Sequence, residues 1–220
     1  MIGIVKFCNA VNDRAVIGTT GYDATLIEKV NQVQTQAVSL FASLYENNQA
    51  VKDALGPFIK TITKSTLATG ELVKESDYVH FTAVLGAAEK TAYPINTNEV
   101  SIINSSPIRK PSIIKGNIFY HQKDDSIFFL PKQVMNVEYT YIRKPREAKL
   151  VLKPVSTVDS DYLVPSTTPG DIVDLEWPES MFNLLLYMTL EKLGMEMKEP
   201  ILLEYANLGI QREMINTQPQ

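Results

Sequence analysis

The chain has 220 residues, of which 45% are apolar and 21% are charged, and its formal net charge is −4. This composition is that of an ordinary globular protein with enough apolar residues for a sizeable core. A single cysteine, Cys8, excludes an internal disulfide framework and a cysteine-rich metal site, and favours a cytoplasm-like environment.

Residues 1–65 are predicted to form an N-terminal helical segment. From residue 26 onward, apolar residues recur at alternating spacings of four and three, which predicts a long helix that ends near Asn48. A second helix is expected to begin near Ala50 and to be interrupted at Gly56 and Pro57, because proline cannot continue an internal helical turn. The apolar stripe of the long helix consists of Leu26, Val30, Val33, Ala37, Leu40 and Leu44.

The opposite face of this long helix carries amides and hydroxyls instead of charges. No Asp, Glu, Lys or Arg occurs between Val30 and Tyr45. A neutral polar face can be buried in a wet protein interface without desolvating charges. A plain amphipathic helix that happens to be rich in glutamine would look the same, and both interpretations remain open. The candidate interface residues on this face are Gln32, Gln36, Ser39 and Ser43.

Residues 66–153 are predicted to form a β-rich segment. Residues 78–85 are rich in β-branched and aromatic side chains, which favours a strand. Two aromatic-rich runs, 117–121 and 126–130, flank a polar turn and predict a hairpin. Residues 133–142 alternate between apolar and polar side chains, and this half-exposed strand is expected to pair with the hairpin in an antiparallel sheet.

Residues 154–215 are predicted to form an irregular loop and a C-terminal helix pair. The stretch Trp177-Pro178-Glu179 is typical of a helix start, since proline fits the first turn and acids favour the positive end of the helix dipole. Residues 181–193 are apolar on nearly all faces and should lie in the middle of the core. Gly194 is expected to end this helix, and Pro200 is expected to begin the last one.

The expected fold class is therefore α+β, with an N-terminal and a C-terminal helix pair packed around a small antiparallel β-sheet that contains the hairpin. The three segments are expected to form one compact domain, followed by a flexible tail at residues 216–220. The longest apolar run falls well short of the roughly 20 residues that span a bilayer, so no membrane span is expected.

The charge is distributed unevenly along the chain. Residues 107–153 contain 10 basic and 4 acidic residues, which gives +6, whereas residues 159–220 contain 3 and 11, which gives −8. The basic segment binds an anionic partner, meets an acidic face of a neighbouring molecule, or is neutralised by the acidic segment within the same fold. The candidate residues for a subunit-interface or DNA-facing basic segment are Arg109, Lys110, Lys115, Arg143, Lys144, Arg146, Lys149 and Lys153.

No motif for catalysis, metal binding or cofactor binding stands out in the sequence. Hydrolytic triads need a base that is usually histidine, and His80 and His121 have no nucleophile beside them in a recognisable motif. Cys8 lacks a supporting motif as a nucleophile and is expected to be a buried small residue. We therefore expect no enzyme activity, no catalytic residue, no metal and no cofactor.

Four stretches occur in a distinctive order along residues 23–213. After the helical pair comes the extended entry Ser106-Pro-Ile-Arg-Lys-Pro111, and then a hairpin that ends in Phe-Phe-Leu-Pro131. The strand Val137-Glu-Tyr-Thr-Tyr-Ile-Arg-Lys-Pro145 and the helix start Leu-Glu-Trp-Pro-Glu179 follow. This order resembles the structural ring proteins in the tail of crAss-like bacteriophages, which are similar in role to the head–tail adaptors of short-tailed phages.

The resemblance implies a structural virion protein of the head–tail connector or tail. Such proteins form closed rings, commonly of twelve copies, which stack below the portal protein and contact other tail and ring proteins. Genomic DNA passes through the lumen without sequence-specific binding. The implied location is the virion, and the host cytoplasm before assembly. Ring closure requires a heterologous contact, in which one face of each copy meets a different face of the next.

A nucleic-acid-binding module is the alternative function. In that case the basic residues of 107–153 would bind the nucleic-acid backbone, and the nearby Tyr139 and Tyr141 would offer rings for stacking bases. The sequence spells out no recognition module for nucleic acid, and the pI of about 5.3 argues against a dedicated DNA-binding protein.

Overall fold

A computed structural model describes residues 1–15, 24–45, 48–85, 90–154, 163–197 and 200–216. These residues form an α+β protein, which confirms the α+β part of the predicted fold class. The chain divides into two compact units, and both ends of the sequence belong to the same unit. We call Met1–Phe58 together with Lys144–Gln220 the helical unit, and Ile59–Arg143 the sheet unit.

The described elements follow one another along the chain as short strands between longer helices. The α-helices are α1 (Ile4–Ala15), α2 (Ala24–Leu44), α3 (Gln49–Leu55), α4 (Val100–Ser105), α5 (Phe182–Met197) and α6 (Pro200–Asn216). The strands of the sheet unit are β1 (Ile59–Lys64), β2 (Glu71–Val73), β3 (Tyr78–Leu85), β4 (Ala92–Pro94), β5 (Ile118–Lys123), β6 (Ser126–Leu130) and β7 (Val137–Arg143). The helical unit adds β8 (Lys149–Leu150), β9 (Leu152–Pro154), β10 (Leu163–Pro165) and β11 (Ile172–Val173).

The long helix α2 buries a face that differs in part from the predicted stripe. The prediction is confirmed over the first half of the helix, where the apolar residues of the stripe are buried. It is wrong for Leu40 and Leu44, which are exposed, whereas Val38 and Ala42 are buried instead. The buried face turns about the helix axis because α2 packs against two neighbours, α5 and α3.

The helix α5 lies at the centre of the helical unit and packs against α1, α2 and α6, as its apolar sequence predicted. The expected stop at Gly194 is wrong, since the helix continues through this glycine to Met197. Gly194 is buried where α5 meets α6, and a Cβ atom there would lie 3.1 Å from Cγ of Leu203. This glycine therefore serves close packing between two helices and not helix termination.

The predicted helix start at Trp177 is confirmed. A 3₁₀ turn at Glu179–Met181 leads directly into α5, and Pro178 is the residue before that turn. The indole of Trp177 is fully buried, with its ring centroid 4.8 Å from that of Phe58 and 6.1 Å from that of Phe41. This aromatic cluster ties the start of α5 to the N-terminal helices.

The sheet unit contains two sheets, and the predicted pairing of the last strand is wrong. The hairpin of β5 and β6 is confirmed, but it belongs to a sheet with the order β2-β6-β5-β4, in which β4 and β5 are parallel. Strand β7 lies between β1 and β3 in a separate antiparallel sheet. Its partner β1 falls within residues 1–65, the segment that was predicted to be helical.

A single apolar cluster connects the two sheets of the sheet unit. It includes Leu72 of β2, Phe129 of β6 and the tyrosines Tyr139 and Tyr141 of β7, all of which are almost completely buried. The Tyr141 hydroxyl donates to Oδ1 of Asp77 at 2.8 Å. Both tyrosines are therefore part of the core.

The C-terminal segment also differs from its prediction in detail. The stretch expected to be an irregular loop contains β10, which pairs with β9, while residues 155–162 lie outside the described residues. Of the tail predicted at 216–220, Asn216 ends α6 and residues 217–220 lie outside the described part of the chain. No helix in the described part is long and apolar enough to cross a membrane.

A candidate interface groove on the long helix

The polar face of α2 lines a groove of about 810 Å³ in the helical unit. Three of the four candidate interface residues, Gln32, Gln36 and Ser39, line this groove. Ser43 lies one turn further along the helix, and its hydroxyl donates to the carbonyl oxygen of Leu40 at 2.6 Å. The tertiary structure therefore brings together most of the uncharged face that the sequence singled out.

The second wall of the groove is the extended segment that precedes β8. The side-chain amide of Asn31 donates to the carbonyl oxygen of Ala148 at 3.1 Å, and its Oδ1 accepts from the amide nitrogen of Ala148 at 2.8 Å. These two bonds resemble one rung of a β-ladder, with a side chain in place of the second strand. Pro145, Glu147 and Ala148 consequently lie beside α2 and line the groove.

Gln34 completes the connection between the two walls from inside the protein. Its side chain is only 1% exposed, and its Nε2 donates to Oδ1 of Asn31 at 2.7 Å and to the carbonyl oxygen of Arg146 at 3.0 Å. Because both partners are acceptors, the orientation of the amide is determined. The groove is therefore preformed in the single chain.

Replacing Asn31 with alanine should release the second wall of the groove. The change leaves the backbone N–H and C=O groups of Ala148 without their partner and removes one of the two acceptors of the Gln34 amide. We therefore expect the free energy of unfolding to fall by about 1–3 kcal/mol. Chemical denaturation followed by circular dichroism measures this loss. The matched control is Asn207→Ala on an exposed position of α6, and an equal loss in both variants would contradict the role of Asn31.

The groove floor on α2 is polar, and its hydroxyl and amide side chains carry no charge. The hydroxyls of Thr35 and Ser39 donate to carbonyl oxygens of their own helix, at 3.0 and 3.1 Å. Gln36 is exposed in the middle of this floor. The charged residues of the groove lining are Glu28, Glu147 and Lys192. A surface of this kind suits a hydrated contact with a polar protein segment.

The eight candidate basic residues do not belong to one compact unit. Arg109, Lys110, Lys115 and Arg143 lie in the sheet unit, whereas Lys144, Arg146, Lys149 and Lys153 lie in the helical unit. Arg143 is half-buried at the end of β7, and Lys144 and Lys149 are exposed.

Two of the basic residues pair with acids of the C-terminal segment within the helical unit. The Arg146 side chain lies 3.6 Å from Oε1 of Glu176, and Lys153 lies 3.2 Å from Oδ2 of Asp171. Hydrogen bonds from the Ser166 hydroxyl and from Lys153 lower the pKa of Asp171. Part of the opposite net charges of residues 107–153 and 159–220 is thus neutralised within the chain. This was one of the three interpretations of the charge pattern.

The other basic cluster lies in residues 106–117, which we call the basic loop. Arg109, Lys110 and Lys115 are all exposed there, and the loop contains no acidic residue. It also carries Ile108 and Ile114, which are 86% and 91% exposed. The helix and strand patterns of the sequence do not single out these isoleucines, although large apolar residues among Pro, Ser and Gly without such periodicity are a signal for an exposed contact.

The aromatic residues expected to help a nucleic-acid interface are not accessible. Tyr139 and Tyr141 are fully buried in the core of the sheet unit, so neither ring is free to stack on a base. Arg109 itself lies with its guanidinium carbon 5.8 Å from the ring centroid of Phe119. Exposed cations remain in the basic loop, where Ile108 and Ile114 are also exposed.

Two of the side chains considered for nucleophilic and base chemistry, Cys8 and His121, have little exposure to solvent. Cys8 is buried, as expected, and burial raises the pKa of its thiol to about 12. The His121 ring stacks on Phe128 with centroids 5.3 Å apart, and burial together with the Lys123 ammonium lowers its pKa. Among the described residues, no group of three or more His, Cys, Asp or Glu side chains is placed to hold a metal ion.

No protein-family model matches this sequence, and no curated protein matches it either. Three features of the described surface therefore bear most directly on function. They are the mostly polar groove along α2, the basic loop with its exposed isoleucines, and the exposed apolar side chains of α6.

Proposed function

We propose that this chain is a structural assembly protein that forms a ring in the head–tail connector or tail of a crAss-like tailed bacteriophage. In this proposal about twelve copies form a closed ring below the portal protein, contact other tail proteins and surround the passing DNA. The phage role is supported by the sequence resemblance, and the assembly role by the chain's surface. The virion location is part of the same proposal.

The observation that carries the assembly role is the groove along α2, whose floor between residues 31 and 39 carries no charged side chain. Its floor presents amides and hydroxyls, which cost far less to desolvate than charged side chains. Its second wall is already held in place by Asn31 and Gln34, so a neighbouring subunit would meet an ordered surface. Preorganisation of this kind lowers the entropic cost of association.

Exposed apolar side chains on both units also support assembly. Ile108 and Ile114 in the sheet unit, and Ile201 and Leu208 in the helical unit, are all more than half exposed. Single exposed apolar residues are common on monomeric proteins, but two isoleucines above 80% exposure in one short loop are not. Burial against another protein chain would remove this apolar area from water.

Imaging of the purified chain tests the proposal. Negative-stain microscopy and mass photometry should show rings, formed either by the chain alone or after addition of the portal protein of such a phage. The result that overturns the proposal is a chain that remains monomeric and does not bind the portal. Salt-dependent binding of duplex DNA by such a monomer would favour the nucleic-acid-binding alternative.

A charge introduced into the groove floor should interfere with assembly. Gln36→Glu keeps the shape of the side chain but adds a charge that would be desolvated in an interface, so we expect about tenfold weaker association. The fold should be unaffected because Gln36 is exposed. Sedimentation velocity over a concentration series measures the change.

The matched control for this variant is Gln133→Glu, the same substitution at an exposed position of the sheet unit outside the groove. We expect it to associate like the unmodified chain. Equal association by both variants and the unmodified chain would exclude the groove floor as an interface.

A further inference from the structure

The basic loop presents two apolar side chains together with cations. Ile108 and Ile114 point almost entirely into solvent, and Arg109, Lys110 and Lys115 accompany them without any acid within residues 106–117. Burial of these two side chains against another protein would remove their apolar area from water. A partner for this loop should offer an apolar surface with an acidic surround.

The backbone of the loop is ordered without any partner. Ser112 and Asn117 exchange both of their backbone hydrogen bonds, at 2.9 and 3.0 Å. The Lys90 ammonium donates to the carbonyl oxygens of Ile113 and Ile114, at 2.8 and 3.0 Å. Because Ile113 packs against the core cluster of the sheet unit, its neighbour Ile114 is held in an outward position. Docking would therefore require little further ordering of the backbone.

The exposed side of α6 offers a surface with the required chemistry. Ile201 and Leu208 are 81% and 52% exposed, Tyr205 is also exposed, and their spacing of four and three places all three on one stripe. Glu204 is exposed on the same stripe. The opposite side of α6 packs against α5, where Ala206 is fully buried.

Charge distinguishes the two ends of this stripe. Glu204 lies between Ile201 and Leu208, whereas Arg212 follows one turn after Leu208. A cationic loop should therefore bind nearer to Glu204 than to Arg212.

We infer that the basic loop of one copy docks on the α6 stripe, Ile201 to Leu208, of the next copy. The contact joins two different surfaces, so it is heterologous and leaves each copy with one loop and one stripe to offer. The same contact can repeat from one copy to the next, as the closure of a ring requires. The inference rests on the proposed assembly function and names the contact through which copies associate.

Disulfide capture between two variants tests the contact directly. Ile114→Cys and Leu208→Cys are both substitutions at exposed positions, and the native Cys8 is buried and leaves the background low. Mixing the two variants under mild oxidation should give a covalent dimer that neither variant gives alone. The control pair is Met135→Cys with Leu208→Cys, since Met135 is exposed in the sheet unit outside the basic loop.

Loss of the apolar side chains should weaken association without affecting folding. The double variant Ile108→Asp with Ile114→Asp removes both anchors, and we expect the dissociation constant for self-association to rise about 30-fold. Glu204→Lys by itself should also raise the dissociation constant, because it replaces the carboxylate near which the cationic loop binds. Sedimentation velocity on mixed variants measures both changes.

The outcomes separate this contact from the proposed function. If rings form but the Ile114–Leu208 pair does not cross-link, the inferred contact is overturned and the assembly role stands. If the pair cross-links but only open chains or dimers form, the contact stands and the ring is overturned. A chain that stays monomeric up to its solubility limit, with and without the portal protein, overturns both.

Discussion

Replacing Trp177 with alanine is expected to lower the free energy of unfolding by about 3–5 kcal/mol. The indole is fully buried and contacts the rings of Phe41 and Phe58, so the substitution leaves a cavity between α2, the turn after α3 and the start of α5. Since domains are typically stable by about 5–15 kcal/mol, the loss would be a large fraction of the total. Far-ultraviolet circular dichroism during urea denaturation measures it, because Trp177 is the only tryptophan and its fluorescence disappears with the substitution.

The control for this prediction is Trp177→Phe, which keeps an aromatic ring in the cluster. The indole nitrogen of Trp177 has no hydrogen-bond partner in the described part of the chain, so phenylalanine removes a buried unpaired donor as well as some volume. We expect Trp177→Phe to lower the free energy of unfolding by less than about half as much as Trp177→Ala does. Equal stability of the alanine variant and the unmodified protein would show that the cluster does not hold the helices together.

Gly209→Ala is expected to destabilise the contact between α5 and α6 by about 1–3 kcal/mol. A Cβ atom at this position would lie inside van der Waals contact of the Tyr187 ring, with Cδ2 only 2.6 Å away. Tyr187 would have to move, although its ring packs edge-on against Tyr205 with centroids 5.6 Å apart. The loss should outweigh the better intrinsic helix propensity of alanine, which is about 1 kcal/mol.

Thermal denaturation measures the effect, and Gly3→Ala serves as the matched control. A Cβ atom at Gly3 meets nothing within 4 Å, so the control should change the stability by about 0.5 kcal/mol or less. Because Tyr205 belongs to the exposed stripe of α6, Gly209→Ala should also weaken the inferred contact between copies. If Gly209→Ala is as stable as the unmodified chain, the close packing of Gly209 against Tyr187 does not contribute to the free energy of unfolding.

Local patterns predicted most of the helices. The apolar spacing in α2, the Trp177 helix start and the hairpin of β5 and β6 all depend on residues that are close together in sequence. The predictions that were wrong concerned contacts between distant elements. Gly194 is a good helix terminator by itself, but it lies inside α5 because it packs against Leu203 of α6.

Strand pairing shows the same limit within the sheet unit. The alternation of β7 predicted a strand with one buried face, and Val137, Tyr139 and Tyr141 are indeed buried. Which strands lie beside β7 is not encoded in its own alternation, and the structure pairs it with β1 and β3 instead of the hairpin. An alternating pattern specifies the face of a strand, whereas its neighbours depend on the packing of the whole sheet.

For the candidate site, the sequence by itself determined the uncharged face of α2, since both the helix period and the lack of charge are local properties. Only the tertiary structure decided that this face lines a groove, because the second wall comes from Ala148, which pairs with Asn31 from far along the chain. It likewise divided the eight basic residues between two units and paired Arg146 and Lys153 with acids. Charge and periodicity can be read along a chain, but a surface forms only where folding brings separate segments together.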